Sequence, residues 1–203
     1  MQPTPRHAFP RERRGATLIE LVVVISILAV AAGIFSQTVV SVGRQRHLNR
    51  EADIAGAAVR DVLERMRNED FAQIFALYND DPLDDPGGVG TAPGQRFAIE
   101  GLHPGAGAAD QRVGEILLPS VWVEPPPQVP MGETPPPAGA ELREDVQDTV
   151  LGMPRDLNGD SIVDTLDHAD DYYVLPIRVR VEWEGRAGQR SFEMFTILTE
   201  FER

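Results

Sequence analysis

From Leu21 to Gly43 the chain holds 23 consecutive residues without a formal charge, most of them Leu, Ile, Val and Ala. At 1.5 Å of rise per residue, a helix over this run measures about 35 Å, enough to cross the hydrocarbon core of a bilayer. The run therefore predicts a single membrane-spanning helix, with the remainder forming one modest domain.

The flanks set the direction. Residues 1–15 carry Arg6, Arg11, Arg13 and Arg14 against Glu12, a net charge of +3, while the whole chain stands at −13. Arg44, Arg46 and Arg50 follow the run, so cationic residues lie at both ends, and the four leader arginines place the N-terminus in the cytoplasm. A secretory signal peptide is the simpler reading of a basic then apolar N-terminus, with Ala29-Val30-Ala31 as a small-x-small cleavage site. Glu20 argues against it. A carboxylate at the mouth of the apolar run is costly in lipid, and an acid there asks for a named partner.

The residues RRG-ATLIE-LVVVISILAVAAG, Arg13 to Gly33, resemble the prepilin cleavage and methylation signature of type IV pilins and type II secretion pseudopilins. The resemblance implies that a membrane-embedded prepilin peptidase cuts after Gly15 and that Ala16 becomes an N-methylated mature N-terminus. It also implies that Glu20, the fifth mature residue, faces the amine of a neighbouring subunit in a filament. A buried carboxylate and a buried ammonium each suffer heavy desolvation alone and relieve one another when docked. Gly15 suits a peptidase that must draw backbone into its site, having no side chain. Two positions depart from the pattern: Ala16 stands where Phe is usual, and Gln37 where many pilins carry a kinking Pro.

The resemblance implies an α+β, pilin-like fold: a long N-terminal helix packed on a small antiparallel sheet. The expected organisation is a basic leader over 1–15, a transmembrane or filament-core helix over 16–43, an amphipathic helix of the head over 44–78, and a loop-rich antiparallel β region over 79–203. Leu48, Ala52, Ala55, Val59, Val62 or Leu63, and Met66 recur in steps of three and four, one apolar stripe on a helix running to about Asn68. Phe71 to Tyr78 reads as a short second helix stopped by Asn79-Asp80-Asp81-Pro82. Residues 79–95 form a loop rich in Gly, Pro and Asp, whose spacing fits no phosphate-binding motif and whose carboxylates would repel a phosphate.

Arg96 to Leu102 and Arg112 to Glu124, the latter broken near Pro119, are strand candidates; 125–139 is Pro-rich and expected to be extended. Ile177, Val179, Val181 and Trp183 alternate with Arg178, Arg180, Glu182 and Glu184, the period-two pattern of a half-buried strand. Gly185 to Gly188 turns the chain, and Ser191 to Phe201 returns as its partner. Apolar residues on both faces of that return strand predict a place inside the sheet rather than at its edge. Such an ending resembles the minor pseudopilins and minor pilins.

Asp156-Leu-Asn158-Gly-Asp160-Ser-Ile162-Val-Asp164-Thr-Leu-Asp167 has oxygen side chains at positions 1, 3, 5, 9 and 12, the spacing of a calcium loop with Ile162 as the carbonyl donor. The run resembles the calcium loop of dockerin modules, with Asp at position 12, but Ser161 replaces the usual Gly at position 6. One such loop is visible, whereas a dockerin needs two, so cohesin binding is not expected. The repelling carboxylates would be ordered by a divalent ion.

Composition removes other functions. Every one of the nineteen cationic side chains is Arg, so no Lys is present for a Schiff base or a Walker loop, and zero Cys removes disulfides and thiolate metal sites. The negative balance argues against nucleic acid as a partner. The four His, at 7, 47, 103 and 168, form no catalytic spacing, and no enzyme activity is expected. The reading is a structural prepilin-like subunit of a type II secretion pseudopilus or type IV pilus-like filament. It would sit as a single pass in the bacterial cytoplasmic (inner) membrane, leader inside and C-terminal head outside. Its partners would be a prepilin peptidase, other pilin or pseudopilin subunits, an inner-membrane assembly platform and the lipid bilayer. The competing reading is a permanently anchored, extracytoplasmic, calcium-dependent binding or sensing domain.

Overall fold

The computed structural model describes residues 17–106, 110–125, 138–186 and 188–200, the side chain of Arg44 excepted. It divides into two units, Met1–Arg46 and His47–Arg203. In the first unit the chain enters helix α1, Leu18–Asn68, at Thr17, whose hydroxyl accepts a hydrogen bond from the Glu20 N–H at 3.3 Å. Thr17-Leu-Ile-Glu20 thus has the spacing of a capping box, a local reason for a helix to start here. Through this unit the large apolar side chains of α1 from Leu18 to Val42 are exposed, and α1 continues through Gln37 without interruption.

The second unit contains the rest of α1, and here one stripe is covered: Ala55, Val59, Leu63 and Met66 are buried, as the steps of three and four require. A 3-10 turn, Phe71–Gln73, leads into α2, Ile74–Tyr78, where the second helical piece was expected. The strands are β1 Arg96–Phe97, β2 Gly114–Leu117, β3 Ser120–Val123, β4 Gly139–Leu142, β5 Val174–Gly185 and β6 Gly188–Thr199. Four of them form an antiparallel sheet ordered β1-β2-β5-β6, and β3 pairs with β4 in a second, two-stranded sheet. The long N-terminal helix with small antiparallel sheets is the α+β, pilin-like architecture expected.

On β5, Ile177, Val179, Val181 and Trp183 are buried while Glu182 and Glu184 are exposed, so the alternation reads correctly. These four share one hydrophobic core with the α1 stripe. Val179 lies opposite Ile116 on one side and Met194 on the other, fixing the register of three strands. Phe97 lies opposite Gly114, where a Cβ would meet its ring at 2.3 Å; only a residue without a side chain fits beneath it.

Several details correct the expectations. The return strand β6 is the edge of the sheet, not an interior strand. Its two apolar faces have different fates: Phe192 and Met194 pack on the core, whereas Phe195 on the other face is 42% exposed. Two-faced apolarity therefore came from surface exposure rather than from strands on both sides. The Arg96 to Leu102 candidate shrinks to the two residues of β1, and β4 was not foreseen. Residues 126–137 of the Pro-rich stretch lie outside the described residues. The 79–95 loop is tied down: the buried Asp81 accepts from Leu83 N–H at 2.8 Å and from Ala140 N–H of β4 at 3.2 Å.

Candidate functional site

Among the described residues, the segment from β4 to β5 holds two of the buried polar side chains, Glu144 and His168. Leu157, fully buried, is its anchor: its carbonyl accepts the N–H groups of Tyr173 and Val174 at 2.8 and 3.1 Å as the chain enters β5. Tyr172 completes the attachment. Its ring lies 4.9 Å from that of Phe71, and its hydroxyl donates to the Phe71 carbonyl and accepts from Phe75 N–H at 3.2 Å. Burial pushes this phenol up to about 12.

Glu144 is wholly buried, two residues past β4. Oε1 accepts from Leu157 N–H at 2.5 Å and from Asn158 N–H at 3.4 Å, while Oε2 accepts from Asp164 N–H at 3.3 Å. One acidic side chain thus grips both halves of the loop 156–167. A carboxylate removed from water is tolerable on these terms, since charge-assisted bonds to backbone N–H groups replace its hydration.

His168, 3% exposed, stands beside it. Nδ1 lies 3.0 Å from Asp171 Oδ1, and Nε2 lies 3.2 Å from Asp164 Oδ1 and 3.8 Å from Glu144 Oε2. Burial by itself lowers the imidazole's affinity for a proton, but the hydrogen bonds to Asp171 and Asp164 and the charge of Glu144 outweigh it and raise the pKa above its ordinary value. Asp164 moves the other way, held below the usual carboxylate range by the Leu166 N–H first and by His168 next. Glu144, Asp164 and His168 each offer a ligand atom within 4.8 Å of the others, so this mostly buried group could hold a metal ion. To ligate, His168 would have to give up its proton, since only the neutral imidazole has a free lone pair, and a divalent cation would then take the place of the imidazolium charge beside Glu144 and Asp164.

The predicted calcium ligands are arranged in a winding turn. Asp156 accepts from Gly159 N–H at 2.6 Å and Ser161 N–H at 2.7 Å; Asn158 from Asp160 N–H at 3.1 Å; Asp160 from Ile162 N–H at 2.7 Å; Asp164 from Leu166 N–H at 2.7 Å. Ser161 adopts φ = 70°, the one non-glycine residue in the left-handed region among the described residues. It occupies position 6, where a calcium loop makes its sharp turn and ordinarily uses Gly. The side chains at the expected ligand positions all offer oxygen. Asp167 is turned to a structural task as well, accepting from Leu142 N–H at 3.0 Å and Ala169 N–H at 3.1 Å. Asp164 is the member shared with the Glu144 and His168 group; Asp156, Asp160 and Asp167 lie outside it.

By sequence, His168 counts among four histidines without catalytic spacing and stands outside the expected ligand set, and Glu144 is not singled out. Asp164 and Asp171 stand four and three residues from His168, but the segment is made of bends and turns rather than a helix, so no periodicity pointed to their meeting. Nothing in the spacing announces Glu144, which meets the loop 13 and 20 residues further on.

At the other end of the chain, Gly15 and Ala16 lie outside the described residues. Glu20 sits exposed in the first turn of α1. Residues 10–36 match a family model, the prokaryotic N-terminal methylation motif. The comparisons with curated proteins and with solved structures found no match. The chain thus carries the prepilin-type signature, and the match lies in the leader and the first part of α1, with none of it in the head. The signature implies a substrate of a prepilin peptidase, a structural subunit that assembles with others of its kind. Its apolar helix is long enough to cross a membrane once, which agrees with a membrane-anchored, single-pass protein.

Proposed function

We propose that this chain is a prepilin-like subunit, of the minor pseudopilin or minor pilin kind, in a type II secretion pseudopilus or type IV pilus-like filament. The observation that carries the reading is the methylation motif at residues 10–36, with Glu20 inside it on the exposed first turn of a helix otherwise free of charge to Gly43. Cleavage after Gly15 would free an amine at Ala16, four residues before Glu20. In the bilayer neither group has water, and the amine of one subunit and the acid of the next relieve each other. An inner-membrane assembly platform would then draw the helix into the polymer, with the head on the extracytoplasmic side. The work is mechanical, and the chemistry belongs to the peptidase that acts on it.

Co-expression with a prepilin peptidase tests this. The expected product begins at Ala16 by intact mass, with one added methyl group. A chain still starting at Met1, or cut beyond Glu20, rejects the filament subunit and favours a permanent tether.

We propose further that calcium is the ion of the loop 156–167, held by Asp156, Asn158, Asp160, the Ile162 carbonyl, Asp164 and Asp167. Support comes from the all-oxygen donor set and from the left-handed Ser161 at the sixth position. A bound ion would brace the segment that leads into β5, in a chain without disulfides. For the full chain in detergent, the head is expected to melt several degrees higher with calcium than with chelator. Coincident curves reject the site.

A further inference from the structure

Between Leu21 and Gly43 the helix carries five side chains with hydrogen-bonding groups: Ser26, Ser36, Gln37, Thr38 and Ser41. Two look after themselves. Ser26 and Thr38 donate to the carbonyls of Val22 at 2.8 Å and Ile34 at 3.0 Å, one turn back. Among the described residues Ser36, Gln37 and Ser41 have no such partner. The two serines can turn to the backbone as Ser26 does, because a hydroxyl sits on Cβ. Gln37 cannot do so readily: its amide is two carbons further out and presents two N–H donors and a carbonyl together.

Gln37 lies six residues inside the end of the uncharged run, about 9 Å along the axis. At that depth lipid supplies neither donors nor acceptors. Ser36, Gln37, Val40 and Ser41 line a concave patch on the helix surface. Gly33, four residues before Gln37 on the same face, has no side chain, so a second helix can come close to the backbone there.

We infer that Gln37 is the hydrogen-bonding contact through which this helix pairs laterally, in parallel, with the same helix of a second copy in the bilayer. The occupant follows from depth and chemistry. Every copy is inserted with the same leader on the same side, so residue 37 of one stands at the level of residue 37 of another. A primary amide is self-complementary, donating through nitrogen and accepting through oxygen, and two of them satisfy each other where a hydrocarbon tail satisfies neither. The inference rests on α1 crossing a membrane and is independent of filament assembly.

The absence of Cys makes the test direct, since an introduced thiol is the only one in the chain. Val30→Cys and Ser41→Cys lie on the Gln37 face; Phe35→Cys and Val39→Cys lie about 200° around the helix from it. Each full-length variant is expressed in membranes lacking prepilin peptidase and assembly proteins, then oxidised. Disulfide-linked dimers are expected from the first pair and not from the second. Adding Gln37→Leu to Ser41→Cys should lower the dimer fraction about threefold, the size set by hydrogen bonds measured between membrane helices, whereas Gln37→Asn should retain it. Equal yields from all four positions, no dimer at all, or no fall with Leu overturns the inference. None of these results would touch the cleavage test, which reads the N-terminal mass.

Discussion

Glu144 in the head and Glu20 at the start of α1 are both acids in poor surroundings for a charge, and the chain treats them in opposite ways. Glu144 is wholly buried and receives three backbone N–H groups with His168 close by. Glu20 contributes its own N–H to Thr17, and among the described residues its carboxylate receives nothing. Gln37 is in the same condition. Arg178 Nε apart, the described part of the head satisfies its buried side-chain polar groups from its own sequence, while the apolar helix leaves Glu20 and Gln37 to whatever lies beside it. A unit of the first kind needs no partner for its buried carboxylate; a unit of the second kind is finished by association.

The largest effect that could break this comparison is at Glu20. Glu20→Val should insert and be cleaved normally, yet enter filaments at least about tenfold less well, because a desolvated ammonium that loses its partner costs several kcal/mol. Glu20→Gln should fall as far, since it keeps the shape and loses the charge. Thr17→Ala removes the helix cap, worth about 1 kcal/mol, and should leave incorporation near normal. Filament content by immunoblot of sheared fractions reads all three. Normal incorporation of Glu20→Val would mean that the carboxylate meets no ammonium in the filament.

Next in size is the head. Glu144→Ala strands the N–H groups of Leu157, Asn158 and Asp164 and deprives His168 of a counter-charge, so it should cost about 3 kcal/mol in equilibrium denaturation of the head. Glu144→Gln keeps an acceptor and should cost less. A negligible effect of Glu144→Ala would show that water enters the loop freely.

The same contrast explains what could be read from the residues alone. The stripe Ala55, Val59, Leu63, Met66 and the alternation from Ile177 to Trp183 were legible because each has one buried face, and one face imposes one period. The membrane run was legible because it has no buried face of its own and needs no pattern. Position in the sheet was not legible: Phe195 and Ile197 lend β6 the look of an interior strand, yet nothing local reports that its far side has no neighbour. At the candidate site the acidic loop announced itself through alternate oxygens within twelve residues. Glu144 did not, because its contacts are made by a turn of the chain that no periodicity encodes.

Ser161→Gly is the smaller test of that loop. A serine at φ = 70° carries a strain of about 1 kcal/mol that glycine lacks, while glycine adds freedom to the unfolded chain. The expected net change is a gain of a few tenths to about 1 kcal/mol, with tighter calcium binding by titration calorimetry because the sharp turn is then unstrained. Loss of stability would show that the Ser161 side chain makes a contact worth more than the strain.

The smallest effect expected is on pH dependence, and it separates the head from the helix because one histidine is responsible. With calcium chelated, His168 binds its proton more tightly in the folded head than in the unfolded chain. Its contribution is therefore fully present below the unfolded value of about 6.5 and is lost as pH rises through the raised folded value. Asp164, depressed in the fold, contributes above the ordinary carboxylate range and loses that contribution as pH falls through its lowered value. The chelated head should accordingly melt lower at pH 8 than at pH 6, and His168→Gln should flatten that slope. Calcium at Asp164 should flatten it as well, since a cation there takes over the task of the imidazolium. A slope unchanged by either would place the titrating group elsewhere in the head.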